Sequence, residues 1–421
     1  MPLDLTQHPC FNDSVRHQTG RIHLPVAPQC NIQCNFCDRQ YDCVNESRPG
    51  VTSAVLTPVQ AMRYLGLALD KAPFLRVVGI AGPGDPFAQP ETTLETLRMV
   101  REKYPEMLLC VATNGLNAEP YAADLARLQV SHVTVTVNAV DPEIGAKIYA
   151  WVRDGRSIYR GVDAAQLLLE RQRRTIMALK AAGVTIKINT VVIPGINDQH
   201  VQEVAKEMRD LGVDIMNCIP VYPVSNTPFE HIQSYSAEDT KQLRQQVSEF
   251  IPQMNHCTRC RADAVGLLGS PESAELTNIM RACASGQIDA NPERPYVAVA
   301  SMEGILVNQH LGEAERLWIF ELGNGNSRLI DRRGTPEPGG GNGRWRELAE
   351  SIRDCHTLLV SGIGRAPRWV LEQAGLNVIE MTGLISSGLE SIERTGTVPA
   401  SMKKFARACG VECQGAGTGC S

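Results

Sequence analysis

The sequence predicts an α/β protein: a partial (βα)6 barrel of the TIM type, followed by a smaller α/β unit. Apolar, β-branched runs alternate with amphipathic stretches from about residue 57 to 220, as in parallel strands joined by right-handed crossovers. Six such units are too few to close a full barrel, so an open one is expected, with its chemistry at the C-terminal strand ends. A linker-like run at 289–295 then precedes a second set of strands and helices.

Taken in order, Arg21 to Ala27 is the opening strand, broken by Pro25 and Pro28. Thr57-Pro58 is an N-cap with Pro at the first helical position, opening a helix to about Ala72. The strand Leu75 to Ala81 runs into Gly82-Pro83-Gly84-Asp85, and a helix from about Glu91 to Tyr104 leads to the strand Met107 to Thr113. A helix near Ala118 to Leu128 precedes the strand His132 to Asn138, and Trp151 to Asp163 reads as an excursion before a helix over Ala164 to Ala182. The strand Val184 to Ile193, the helix Asp198 to Leu211 and the strand Asp214 to Pro220 complete the barrel, with a further helix near Ala237 to Phe250. The second unit is expected to carry strands at Tyr296 to Ser301, Leu317 to Leu322 and Leu358 to Ser361, with helices near Trp345 to Arg353 and Arg365 to Ala374. Its Gly- and Pro-rich run, Thr335 to Gly343, lacks the Lys-Ser/Thr of a phosphate-binding loop. The expected domains are therefore 1–288, with ligand-bearing extensions at both ends, the linker 289–295, the unit 296–400 and a Cys- and Gly-rich tail 401–421.

Of 421 residues, 43% are hydrophobic and 21% charged, as in ordinary globular proteins. A formal charge of −5 argues against nucleic acid or a membrane surface as the partner. With no signal-like start and no apolar run of transmembrane length, a cytoplasmic location is expected. Fourteen Cys in that compartment point to metal ligation rather than disulfides.

The sharpest cluster is Cys30-Asn31-Ile32-Gln33-Cys34-Asn35-Phe36-Cys37. Thiolates at 30, 34 and 37 can take three corners of a cubane iron–sulfur cluster; such clusters normally have four Cys, so one iron stays open. Zinc is the competitor, but it wants four ligands and no local Cys or His supplies the fourth. The pattern resembles the signature of radical S-adenosylmethionine (SAM) enzymes, whose open iron chelates SAM, with Phe36 as an aromatic wall beside it. Gly82, Gly84 and Asp85 resemble the glycine-rich second-strand motif of that superfamily, with Asp where Glu is common; alone, the run would be a turn. Asn114, Asn138 and Asn189 stand on or near strand ends, where a barrel points side chains at a ligand, although Asn also ends strands in plain turns. Ile193 to Asp198 could flank the adenine or simply enter a helix.

Cys257 and Cys260 form a C-x-x-C pair without the strand–motif–helix context of a thioredoxin, hence half of a metal site. Cys10 and Cys43 flank the radical loop and are candidate ligands; Cys110 on a barrel strand is a ligand or a small core residue. His8, beside Cys10, is a candidate nitrogen ligand. Cys218, Cys283 and Cys355 read as packing, and His17, His132, His200 and His231 as structural or solvent-facing.

Taken together, the stretches His8 to Phe11, Val26 to Cys37, Tyr41 to Val51 and Cys257 to Gly266 resemble the NifB family, radical SAM enzymes of nitrogenase cofactor assembly. The second unit resembles the RNase H-like cofactor-binding domain of the NifX/NafY type. Its Val307-Asn308-Gln309-His310-Leu311-Gly312 matches a His-containing cofactor motif, with Leu311 where Phe is usual. The resemblance implies an enzyme that fuses two 4Fe–4S substrate clusters into an eight-iron precursor with a central carbide, using SAM and its own SAM-binding 4Fe–4S cluster. Cys10, Cys43, Cys110, Cys257, Cys260 and His8 would hold the substrate clusters, with Glu46 and Arg48 near the reacting centre. Implied partners are iron–sulfur cluster and electron donor proteins, and downstream carriers or scaffolds of the NifX and NifEN type. The rivals are another radical SAM enzyme with auxiliary clusters, and a cluster carrier without chemistry. Cys409, Cys413 and Cys420 in the tail could hand on a cluster or be incidental.

Overall fold

A computed structural model describes residues 3–45, 50–270, 273–285, 294–322, 327–395, 398–399 and 401–403. Glu46, Arg48, most of the linker run and the tail cysteines lie outside the described residues. The chain divides into two compact units, 1–281 and 282–421.

The first unit is organised around six strands: β1 (Gly20–His23), β2 (Leu75–Ile80), β3 (Leu108–Thr113), β4 (Val130–Thr136), β5 (Thr185–Val192) and β6 (Ile215–Pro220). Each pairs in parallel with the next, so order in the sheet follows order in the chain, the winding of a barrel rather than of a doubly wound sheet. Among the described residues the barrel stays open: β6 is one edge, and β1 is flanked on the other by the antiparallel strand Val265–Gly266. The helix Pro58–Lys71 starts on a capping box, Thr57 Oγ accepting from Gln60 N–H and the Gln60 side chain from Thr57 N–H.

Several local expectations differ from the fold: the opening strand ends at His23 rather than Ala27, and the helix expected over Asp198 to Leu211 begins as a 3-10 turn, Asp198–His200, before Val201–Asp210. The stretch expected as one helix over Ala118 to Leu128 splits into a 3-10 turn, Glu119–Tyr121, and the short helix Ala122–Arg127, with Pro120 in the first turn. The excursion Trp151 to Asp163 is a hairpin, Tyr149–Asp154 with Ser157–Tyr159, turning at Gly155 with φ +58°. Its first arm pairs with Ile32–Cys34, so the hairpin is the scaffold of the Cys loop.

Alternation along β4 explains the interior. Val133, Val135 and Val137 are fully buried toward the helices, while Thr134 and Thr136 line cavities inside the barrel. Barrel interiors are commonly filled by bulky branched residues; here they are polar.

The second unit carries β7 (Tyr296–Ala300), β8 (Arg316–Glu321), β9 (Arg328–Gly334), β10 (Cys355–Val360) and β11 (Asn377–Glu380), in the mixed order β9-β8-β7-β10-β11 of an α/β domain. Alternate residues fill two cores: Ala298, Leu317, Ile319 and Leu358 on one face, Val297, Val299, Trp318 and Leu359 on the other. The edge strand β9 escaped the sequence reading because three arginines and an aspartate mask its pattern, a common way of protecting an edge. No helix among the described residues is long and apolar enough to cross a membrane.

Candidate active site

The Cys loop is fixed from two sides. Beyond the hairpin pairing, Gly84 N–H donates to Ala27 O and Asp85 N–H to Gln29 O, both at 2.6 Å. That approach needs glycine: a Cβ on residue 84 would fall 2.0 Å from Gln29 O. Cys30, Cys34 and Cys37 then face a cavity together with Gly84, Asp85 and Asn114.

The buried Asp85 carboxylate accepts from Phe87 N–H at 2.9 Å, Asn114 N–H at 2.6 Å and the Thr113 hydroxyl at 2.9 Å. It therefore clamps the ends of β2 and β3. Burial raises its pKa, and these bonds pull it back down. Asp85→Asn should cost about 1–3 kcal/mol. Whichever way the amide turns, its NH2 meets the N–H of Phe87 or Asn114. A urea midpoint equal to wild type would show that the clamp is not formed. Asn114 Nδ2 donates to Asn31 Oδ1 at 2.7 Å, tying the third strand end to the Cys loop.

Burial pushes the Cys30 thiol up to about 11, with Asp85 adding to it, and raises Cys34 and Cys37 as well. Such thiols ionise only when a metal takes the thiolate. Among the described residues no three His, Cys, Asp or Glu side chains gather as they would around a single ion. Thiols spaced around one cavity suit a cluster, in which each binds a different iron.

A second cavity adjoins the first at Ala112 and lies further back along the same strands. His8, Cys10, Cys110, Cys257 and Cys260 line it. The C-x-x-C segment is drawn in by the pairing of β1 with Val265–Gly266 and by His23 N–H donating to Ala264 O at 2.8 Å. Asp42 accepts from Thr52 N–H and Ala262 N–H, and Asp263 from Ser53 N–H, which ties Asp42, Thr52 and Ser53 to the same segment. His256 Nε2 meets Pro9 O at 2.8 Å and anchors the N-terminal stretch.

His8 Nδ1 accepts from Cys10 N–H at 3.2 Å, and its Nε2 is buried without a hydrogen-bond partner. An orphaned buried imidazole nitrogen is costly, and it suits a metal ligand. Burial, with His132 and Lys187 next, keeps this ring neutral. Burial likewise pushes Cys10 up to about 11.

Residues 24–208 match the Radical SAM superfamily, and residues 293–394 match the family Dinitrogenase iron-molybdenum cofactor. The FeMo cofactor biosynthesis protein NifB of Chlorobaculum tepidum is 51% identical over 423 residues, covering 100% of this chain and of its own. This chain belongs to the NifB family. Members from Klebsiella pneumoniae and Azotobacter vinelandii are 38% and 37% identical, covering 88% of this chain and 86% and 84% of theirs.

Within that family frame, several expected site residues stand elsewhere. Phe36 is no wall of the cavity: it is fully buried in an apolar cluster with Leu116, Ile148, Val152 and Ile193, packing the loop onto the barrel. Asn138 lines neither cavity; its Oδ1 accepts from Val191 N–H at 2.8 Å, and its carbonyl from Asn197 Nδ2. Asn189 faces the second cavity and donates to Asn45 O at 3.1 Å. Gly82, at φ +140°, accepts from Ala27 N–H and supports the Cys loop rather than lining the cavity. Cys43 lines the first cavity, away from the other extra cysteines, its N–H donating to Pro83 O. In the second unit, His310 caps the turn Leu311–Glu313 and rests against Gly362, while Leu311 is fully buried, so an aliphatic side chain serves the packing there.

The sequence reading missed Arg21, His23, Asn45 and Lys187. Period-two spacing could have found Lys187, which stands two residues before Asn189 on the same strand. His132, expected to be structural or solvent-facing, is buried, its ring tilted against His8 and Phe11 with centroids 4.4 and 4.3 Å away. Burial holds His132 and His23 down to about 4. Below pH ~6.5 the unfolded chain then binds more protons than the folded one, so stability falls as pH drops toward 4, by up to about 1.4 kcal/mol per unit per histidine. The metal-free chain should show a lower urea midpoint at pH 5.5 than at pH 7.5; equal midpoints would contradict neutral, buried rings.

Proposed function

We propose that this chain fuses two 4Fe–4S substrate clusters and inserts a SAM-derived carbide and one sulfur, giving the eight-iron precursor of the nitrogenase cofactor. The observation that carries the reading is the pair of thiol-lined cavities adjoining at Ala112, within a chain of the NifB family.

Cys30, Cys34 and Cys37 would hold the SAM-binding 4Fe–4S cluster. When bound, it supplies the open iron for SAM and the electron that cleaves SAM to a 5′-deoxyadenosyl radical. Around it, Asp85 keeps the β2 and β3 ends in register and Asn114 orients the loop through Asn31. Cys10, Cys110, Cys257 and Cys260, with His8, form the substrate-cluster cradle, and Cys43 stands toward the SAM side. One SAM would donate the methyl group and leave as S-adenosylhomocysteine; the radical from a second would take one hydrogen atom from that methyl and leave as 5′-deoxyadenosine, and the two remaining hydrogens would leave as protons, the reduced clusters supplying the electrons that the carbide requires. Glu46 and Arg48 belong near the reacting centre by family resemblance. His310 is proposed to receive product in the second unit. Cluster and electron donor proteins, and cofactor carriers of the NifX and NifEN type, are the proposed partners, in the cytoplasm.

The test is anaerobic: reconstitute with iron and sulfide, add SAM and dithionite, and quantify SAM products. 5′-Deoxyadenosine and S-adenosylhomocysteine together support the reading. 5′-Deoxyadenosine alone points to a different radical SAM reaction, and neither product to a cluster carrier.

A further inference from the structure

Arg21, on β1, is buried at 6% exposure, and its hydrogen bonds are unusual. Nε and Nη2 donate to Cys260 Sγ at 3.3 and 2.9 Å, while Nη1 donates to the carbonyls of Gly266 and Leu267. The bonds described for this guanidinium thus end on one sulfur and two carbonyls, with no carboxylate among them. A buried cation without a counter-anion is expensive. A thiolate bound to an anionic cluster would supply the missing charge. Arginine stays protonated throughout the pH range of folded proteins, so the charge is permanent. Lys187 lines the second cavity with Cys260, its ammonium 5.8 Å from the Phe11 ring centre, and adds to the positive field.

We infer that Arg21 is a positioning residue that orients Cys260 and sets the reduction potential of the cluster bound through it. N–H···S bonds and a fixed positive charge both favour the more reduced, more negative cluster, so Arg21 raises its potential. Locking Nη1 on the 266–267 turn fixes the fork that presents the other two N–H groups to sulfur. The inference rests on the second cavity being a cluster site, as proposed above.

The experiment uses the full chain with Cys30, Cys34 and Cys37 all replaced by Ala, so that any remaining cluster signal comes from outside the SAM site. Iron content and midpoint potential, by redox titration with electron paramagnetic resonance, are compared in this parent, in Arg21→Met and in Arg21→Lys. The expected result is unchanged iron and a more negative midpoint in Arg21→Met. The shift should amount to about a tenfold lower reduced fraction at fixed poise, ~59 mV for a one-electron couple. Arg21→Lys, keeping charge but losing the fork, should fall between. Equal midpoints at equal iron overturn the inference. So does loss of iron in Arg21→Met with the parent's midpoint in Arg21→Lys, which would make Arg21 only a brace for the turn. A parent that binds no iron overturns instead the reading of the second cavity as a cluster site.

Discussion

Gly84→Ala is expected to destabilise the first unit by at least about 3 kcal/mol and to abolish 5′-deoxyadenosine formation. The added methyl would lie 2.0 Å from Gln29 O and 2.5 Å from its carbonyl carbon. Both are backbone atoms, which cannot rotate aside, so the loop after β2 must part from the Cys loop. Parting breaks the 2.6 Å bonds to Ala27 and Gln29, the contacts that set Cys30 against Asn114. Iron per chain should fall by about four, one cubane, while iron in the second cavity remains. Full SAM cleavage in this variant would mean the Cys loop is positioned by the hairpin alone.

Replacing Cys257 and Cys260 together by Ala should do the reverse. These thiols line the second cavity only, and Cys260 is the sulfur that Arg21 addresses. The variant should lose at least about four irons and stop forming S-adenosylhomocysteine, since the methyl acceptor is gone. It should still cleave SAM to 5′-deoxyadenosine, because Cys30, Cys34, Cys37 and Asn114 are untouched. Loss of both products would mean the two cavities do not act separately.

How much of this was legible in the sequence follows from the range of the interactions. The Cys30 loop was legible because three ligands fall within eight residues, and the barrel because each strand–helix unit is locally patterned. That Cys10, Cys110 and Cys260 share a cavity could be guessed only from clustering and family resemblance. Their meeting depends on an edge pairing between β1 and residues 265–266, which no local pattern announces. The hairpin behind the Cys loop was missed for the same reason: its partner, Ile32–Cys34, is more than 100 residues away. Phe36 and Asn138 sit beside chemistry in sequence but do packing and bracing in space. Arg21 was overlooked because a buried arginine on a strand reads as an edge charge until its partner, 239 residues on, is in place.

The most direct test of the central claim follows the carbon. The reconstituted chain is incubated with SAM carrying 13C in its methyl group, and the cluster product is examined by pulsed electron paramagnetic resonance for coupling to 13C. The account predicts a 13C coupling in the eight-iron product, absent when label is placed elsewhere in SAM. Label recovered only in unreacted SAM, in the methionine released with 5′-deoxyadenosine, or in methylated by-products, with an unlabelled cluster, would contradict it.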